Sequence, residues 1–182
     1  TKPYGFNVFY PGPGLGGHCI PIDPFYLSWK AKKFNIETKF IELAGRINRS
    51  MPDWIIKKTL RIIKIKSKKS KNIRILILGV AYKKNINDCR ESPAFEIIKK
   101  LKNKRINVQY NDPFIDEIPK LRNYNFKMKS KKLTKKLIQS FDAIIIVTDH
   151  DRYNYDMIRK NNSIIIDTRN CYQKKYENIY LA

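Results

Sequence analysis

Long apolar runs, histidines, paired cysteines and acidic residues are all scarce in this chain, and each scarcity removes a class of protein. Nothing in its 182 residues approaches the roughly 18 uninterrupted apolar residues of a membrane helix. The most apolar run, Ile73 to Val80, is short and broken by Arg74. No secretory signal is visible. The three cysteines, Cys19, Cys89 and Cys171, are odd in number and form no CxxC. That pattern gives neither a disulfide framework nor a zinc site, and it suits a reducing cytosol. Two histidines, His18 and His150, are too few for a histidine-based metal site without carboxylate help. The chain opens Thr-Lys-Pro, without Met and in a loop-like stretch, as expected of a piece of something longer.

Acidic residues number 16 against 38 lysines and arginines, a formal charge of +22. Such an excess invites a nucleic-acid partner. The cations, however, are spread along most of the chain, and the sequence is loaded with Lys, Ile, Asn and Tyr, the types that AT-rich coding DNA favours. Compositional drift combined with an anionic small ligand is the simpler reading, with nucleic acid as the alternative. At 42% hydrophobic the chain is long enough for one core, or for one domain with an attached segment.

Three zones follow one another. Residues 1–23 are a Gly/Pro/aromatic loop ending in His18-Cys19-Ile20-Pro21-Ile22-Asp23. Residues 24–67 read as helical. Asp23 followed by Pro24 is the N-cap and first-turn signal of a helix through Phe25, Leu27 and Trp29 toward Phe34. A second helix is expected from near Glu37, and Ser50 with Pro52 repeats the cap-then-proline signal ahead of the stripe Ile56, Leu60, Ile63. Helices this amphipathic, with little sheet beside them, call for a partner surface such as another subunit. Lys64 to Lys71 reads as a solvated helix end and linker. It divides the chain into residues 1–70, the loop and helices, and residues 71–182.

The third zone alternates strand and helix. Ile73 to Val80 is the continuous apolar run of a buried parallel strand. Ser92-Pro93 opens a helix with Ala94, Ile97, Ile98 and Leu101 on one face. Ile106, Val108 and Tyr110 alternate with polar residues as a second strand, which stops at Asn111-Asp112-Pro113. Leu133 to Phe141 is a helix, Ala143 to Val147 a third strand, Tyr153 to Arg159 a short helix and Ser163 to Ile166 a fourth strand. The fold class is therefore α/β: a helical segment followed by a Rossmann-like parallel sheet, whose ligand is expected beyond the strand C-termini. Lys83, Asp112, Asp149 and Arg169 all fall just past such ends. For Asp112 a turn-forming role before Pro113 is preferred over a ribose-binding one.

Gly12, Gly14 and Gly17 satisfy GxGxxG, but the dinucleotide fingerprint needs a strand before it and a helix opening within it. Here Tyr10-Pro11 precedes and Pro13 lies inside, so an NAD fingerprint is rejected. The loop keeps another use. Glycines let backbone N–H groups approach an anion, prolines stiffen the path, and the path leads straight into Cys19.

The string from Phe9 to Pro24, Phe-Tyr-Pro-Gly-Pro-Gly-Leu-Gly-Gly-His-Cys-Ile-Pro-Ile-Asp-Pro, closely resembles the active-site segment of the nucleotide-sugar 6-dehydrogenases. Gly79 to Asn85 and Asp88 to Pro93 resemble the start of that family's UDP-binding domain. Asn111-Asp112-Pro113 and Asp167-Thr168-Arg169-Asn170 fit later signposts, in the family's order, so the resemblance covers nearly the whole chain. Within the family, Gly-Gly-His-Cys-Ile-Pro-Ile-Asp-Pro looks like the UDP-N-acetylglucosamine branch, because the UDP-glucose branch typically has Lys where this chain has Ile22.

The resemblance implies oxidation of a sugar C6 alcohol to a carboxylate in two hydride transfers to NAD, through a cysteine thioester, for surface polysaccharide synthesis in the cytoplasm. Cys19 matches the nucleophile, a residue type whose thiolate attacks aldehydes and whose thioester water can cleave. Cys89 and Cys171 read as small buried side chains. Asp23 matches a base or water-orienting carboxylate. Tyr10, Gly12, Gly14, Leu15 and Gly16 of the loop, with Tyr82, Lys83 and Arg169, match UDP-sugar contacts. Arg90 matches a contact to NAD phosphates. The resemblance also implies a homodimer through the central helices. The family's upstream Lys and Asn, and its NAD-binding half, are not in this chain, so the chain alone is expected to be inactive. Alternatives are a UDP-glucose dehydrogenase fragment, a basic nucleic-acid-binding module, and a non-catalytic remnant that dimerises through residues 37–67.

Overall fold

The computed structural model describes residues 5, 10–162 and 164–182. Phe9, which opens the glycine-rich motif, and Ser163, which opens the predicted fourth strand, lie outside the described residues, as does most of the loop before Tyr10.

Two helices come first. Helix α1, Asp23–Lys32, has Pro24 in its first turn, but its N-cap is Ile22 and no side chain caps it. This corrects the expectation that Asp23 is the cap. The chain is already turning at Cys19, whose carbonyl accepts from the N–H groups of Ile22 (3.0 Å) and Asp23 (2.8 Å). The helix start therefore slides one residue upstream, and Asp23 becomes its first residue. Helix α2, Lys39–Ser67, is a single 29-residue helix with Pro52 inside it. The break expected at Ser50 does not occur. The Ser50 hydroxyl donates back to the Ile47 carbonyl, 2.7 Å away within the helix, instead of capping a new one. Pro52 removes one backbone bond, yet the helix is held on both sides of it. Gly45 packs against the Phe25 ring of α1, and Ile55, Ile56 and Ile63 are buried.

The remaining elements are β1 (Arg74–Leu78), α3 (Pro93–Asn103), β2 (Asn107–Asn111), α4 (Lys135–Gln139), β3 (Ala143–Ile146), α5 (Tyr155–Asn161), β4 (Ile165–Asp167) and β5 (Ile179–Leu181). Side chains capping α3, α4 and α5 come from Ser92, Thr134 and Asn154, respectively. The five strands form one parallel sheet in the order β2-β1-β3-β4-β5. Alternation along β1 sorts the core. Ile75 and Ile77 face α2 and α3, whereas Leu76 and Leu78 face Ile138 of α4 and Ile158 of α5. Helices thus cover both sides, as an all-parallel sheet requires. The second half of α2 lies in the same core as β1, through Ile55, Ile56 and Ile63. In this order the chain leaves β1 toward β2 on one side and reaches β3 on the other, so a crevice is expected between the C-terminal ends of β1 and β3.

Among the described residues no helix is long and apolar enough to cross a membrane. Large apolar side chains stand out from the helical region among lysines: Tyr26, Leu27 and Trp29 of α1, Phe34 and Ile36 of the connection and Phe40 of α2 are all exposed, Phe40 by 87%. A run of exposed large side chains is the mark of a surface made to be covered.

Candidate functional site

The glycine-rich loop is laid across the C-terminal edge of the sheet, and its glycines are what let it lie there. A β-carbon at Gly12 would stand 2.7 Å from a terminal guanidinium nitrogen of Arg169, the residue that follows β4 by two. A β-carbon at Gly16 would stand 2.7 Å from the Tyr82 side chain and 3.0 Å from the Glu91 carbonyl. The Gly17 N–H donates to the Arg90 carbonyl at 3.0 Å. Gly14 faces Pro93 at the start of α3 and the carbonyl of Asn48 in α2, the group that loses its helical partner to Pro52. The loop therefore touches the segments after β1 and β4 as well as α2 and α3. It also borders a groove of about 410 Å³ lined by Gly14, Leu15, Phe25, Asn48, Pro52 and Pro93.

Arg169 is mostly buried under this loop. Its Nε donates to the Val147 carbonyl at 2.8 Å, just past β3. Burial pulls its guanidinium down from the ordinary value, and Asp149 pulls it back up. The Tyr82 N–H donates to the Asp88 carbonyl at 3.0 Å. Arg90 is exposed and paired with Asp88, its terminal nitrogen 2.7 Å from a carboxylate oxygen. That contact raises the guanidinium further and holds the Asp88 carboxyl below its ordinary value.

Among the predicted site residues, then, the structure joins Gly12 to Arg169, Gly16 to Tyr82, and the neighbouring Gly17 to Arg90. Tyr10 (80% exposed), Leu15 and Lys83 stand out from the surface. Cys19 and Asp23 are exposed as well, linked by the backbone bond at the head of α1. Cys89 is buried, and Cys171 is half-buried with its thiol pushed up by burial. The GxGxxG spacing of Gly12, Gly14 and Gly17 has no strand or helix within residues 10–22, so it forms no dinucleotide cradle.

One buried cluster behind the site joins Asp112, read from the sequence as a turn former, to His150, for which the sequence suggests no role. Asp112 accepts hydrogen bonds from the N–H groups of Val80, Ala81, Phe114 and Ile115 and from His150. Burial raises its carboxyl, but the bonds from His150, Val80 and Phe114 outweigh that and hold it below the usual carboxylate range. The turn-forming role read from Asp112-Pro113 is thus present in the bonds to Phe114 and Ile115, with a second set of bonds to the loop after β1. The only signal for His150 in the sequence was its place just beyond a buried apolar strand.

Comparison with known proteins identifies the family. Residues 76–174 match the UDP binding domain of the UDP-glucose/GDP-mannose dehydrogenase family, and residues 1–50 match the central domain of the same family. A UDP-N-acetyl-D-mannosamine dehydrogenase of Methanocaldococcus jannaschii is 35% identical over 173 residues, 90% of this chain and 36% of that protein. An NDP-N-acetyl-D-galactosaminuronic acid dehydrogenase of Ralstonia solanacearum is 28% identical, over 93% of this chain and 38% of its own length. The solved UDP-D-ManNAc dehydrogenase of Pyrococcus horikoshii superposes with a TM-score of 0.76 at 30% identity, covering 98% of this chain and 40% of that one. The chain thus spans well under half the length of these relatives. The chain belongs to the UDP-glucose/GDP-mannose dehydrogenase family.

Proposed function

We propose that this chain is the UDP-sugar-gripping and cysteine-bearing part of an NAD-dependent UDP-N-acetylhexosamine 6-dehydrogenase, a cytoplasmic enzyme of surface polysaccharide synthesis. The observation that carries the reading is the glycine loop docked on Arg169 and Tyr82 at the C-terminal edge of a parallel sheet, where such sheets take ligands. Residues 71–182 form the UDP-binding unit, and residues 1–70 supply the cysteine loop and the dimerising helices.

In this reading Arg169 meets the diphosphate, Lys83 meets the diphosphate or donates to the base, Tyr82 packs beside the nucleoside, and Tyr10, Gly12, Gly14, Leu15 and Gly16 wall the sugar. Arg offers paired donors to an anion, and glycine N–H groups leave no side chain in the way. Cys19 attacks the C6 aldehyde as thiolate and forms a thiohemiacetal. Loss of hydride from its carbon and of the hydroxyl proton to solvent converts this to a thioester, and water releases the carboxylate and the free thiol. Asp23, at the head of the helix that begins beside Cys19, takes or orients the proton of that water. NAD supplies the hydride acceptor in both oxidations. Among the described residues Arg90 is the candidate contact to it, as an exposed cation toward a phosphate.

An acetamido sugar is favoured over glucose by Ile22 and by the names of the relatives. The 2-epimers UDP-N-acetylglucosamine, the first choice on sequence, and UDP-N-acetylmannosamine are separated by assay. The exposed apolar side chains of α1 and α2 support a second copy of the chain as partner. Calorimetric titration of UDP tests the grip. The wild-type chain takes up UDP, and Arg169→Ala weakens it about tenfold or more, the loss of one charge-assisted contact. A chain that ignores UDP ends the reading.

A further inference from the structure

Tyr82 and Lys83 sit on a loop whose shape is set from behind, and we propose that the buried pair His150 and Asp112 is the positioning device that holds this loop in its UDP-binding form. The inference rests on the UDP-binding reading above and deepens it.

The geometry brackets the two site residues. On the near side of Tyr82, the N–H groups of Val80 (2.7 Å) and Ala81 (3.0 Å) both donate to Asp112 Oδ2. On the far side of Lys83, the N–H of Asn85 donates to His150 Nδ1 at 2.9 Å. That bond places the ring proton on Nε2, which meets the same Asp112 Oδ2 at 3.1 Å. Both ends of the segment 80–85 thus converge on one carboxylate oxygen, directly or through one imidazole. The Thr148 hydroxyl adds a bond to the Ala81 carbonyl, 2.6 Å away.

The pair has no freedom to drift. His150 and Asp112 are 0% and 1% exposed. Phe114 lies against the imidazole at 5.0 Å and Tyr153 at 5.6 Å between centroids. Asn85 itself has φ +62° and is clasped by Asp151, whose N–H donates to the Asn85 side-chain oxygen at 3.0 Å. Apolar side chains would fill this space with less desolvation. Hydrogen bonds add direction, because each N–H must point at a lone pair, and direction is what a loop presenting Tyr82 and Lys83 to a ligand requires.

Two substitutions separate the roles. In His150→Asn the amide oxygen stands where Nδ1 stood and still accepts from Asn85. In His150→Gln the amide reaches Asp112, but the Asn85 N–H loses its partner. UDP is titrated into the 182-residue chain by calorimetry, with melting temperatures measured in parallel. His150→Asn is expected to bind within about threefold of wild type, and His150→Gln about tenfold or more weaker, because the part-buried Asn85 N–H no longer fixes the far end of the loop, at matching melting temperatures. Variants that bind UDP alike, at whatever strength, overturn the proposal. A wild-type chain that takes up no UDP overturns the underlying reading and this inference with it. Should a variant not fold, amide exchange in the wild type decides. Because coupling is reciprocal, saturating UDP slows exchange at Asn85 about tenfold or more, and exchange unchanged by UDP contradicts the device.

Discussion

Gly12 lies edge-on against Arg169, close enough that a single added methyl would stand 2.7 Å from the guanidinium. The guanidinium cannot simply swing aside, because its Nε is bonded to the Val147 carbonyl. Gly12→Ala should therefore displace the cation or lift the loop while leaving the core untouched. The expected outcome is UDP affinity reduced about tenfold with a nearly unchanged melting temperature. In an Arg169→Ala background the same change should cost little, since the pair is in contact and its effects do not add. A calorimetric double-mutant cycle measures this coupling.

Asp112 gives a prediction in stability and its pH dependence. Asp112→Asn keeps the shape but turns an NH2 group toward backbone N–H groups that now have no acceptor. A loss of about 2–4 kcal/mol is expected in urea unfolding at neutral pH. The native carboxyl titrates below its ordinary value, so its contribution is complete above the unfolded pKa, about 3.9. It is lost as pH falls through the native pKa. The gap between wild type and variant should hold from pH 7 to about 5 and close in more acidic solution. A gap that widens with acid contradicts the assignment.

The helical surface predicts an assembly. Phe40 is 87% exposed and lies near Tyr26, Trp29 and Phe34 in sequence, all exposed. Phe40→Glu should convert a dimer to a monomer in sedimentation velocity while leaving UDP binding intact, because the sheet's core is formed by other residues. A wild-type chain that is monomeric at high micromolar concentration contradicts the dimer.

Strands β1, β3 and β4 were legible because they are buried on both sides. Ala143 to Val147 and Ile73 to Val80 are the near-continuous apolar runs of a covered parallel strand, and Ser92-Pro93 marks α3 by a cap that is present in the structure. Strand β5 was not read, since Ile179–Leu181 is three residues at the sheet edge with no alternation to mark it. The predicted break at Ser50 failed because a local signal competed with tertiary packing: the flanks of Pro52 are pinned by Phe25 on one side and the core on the other. The loop's glycines were visible as a motif, but their reasons were not. Which glycine faces Arg169 and which faces Tyr82 depends on where the loop crosses the sheet. The bonds from His150 and Asp112 to residues 80–85 join positions up to 65 apart in sequence, and no local pattern announces them.

Cys19, exposed at the end of the glycine loop, is the proposed carrier of the sugar between its two oxidations. The direct test joins this chain to an N-terminal NAD-binding half and compares wild type with Cys19→Ser on UDP-N-acetylglucosamine and UDP-N-acetylmannosamine. Wild type should form two NADH per uronate from one of them. Cys19→Ser should lose net turnover by about a thousandfold or more, as removal of a covalent nucleophile does. Uronate made by Cys19→Ser at the wild-type rate would contradict the account.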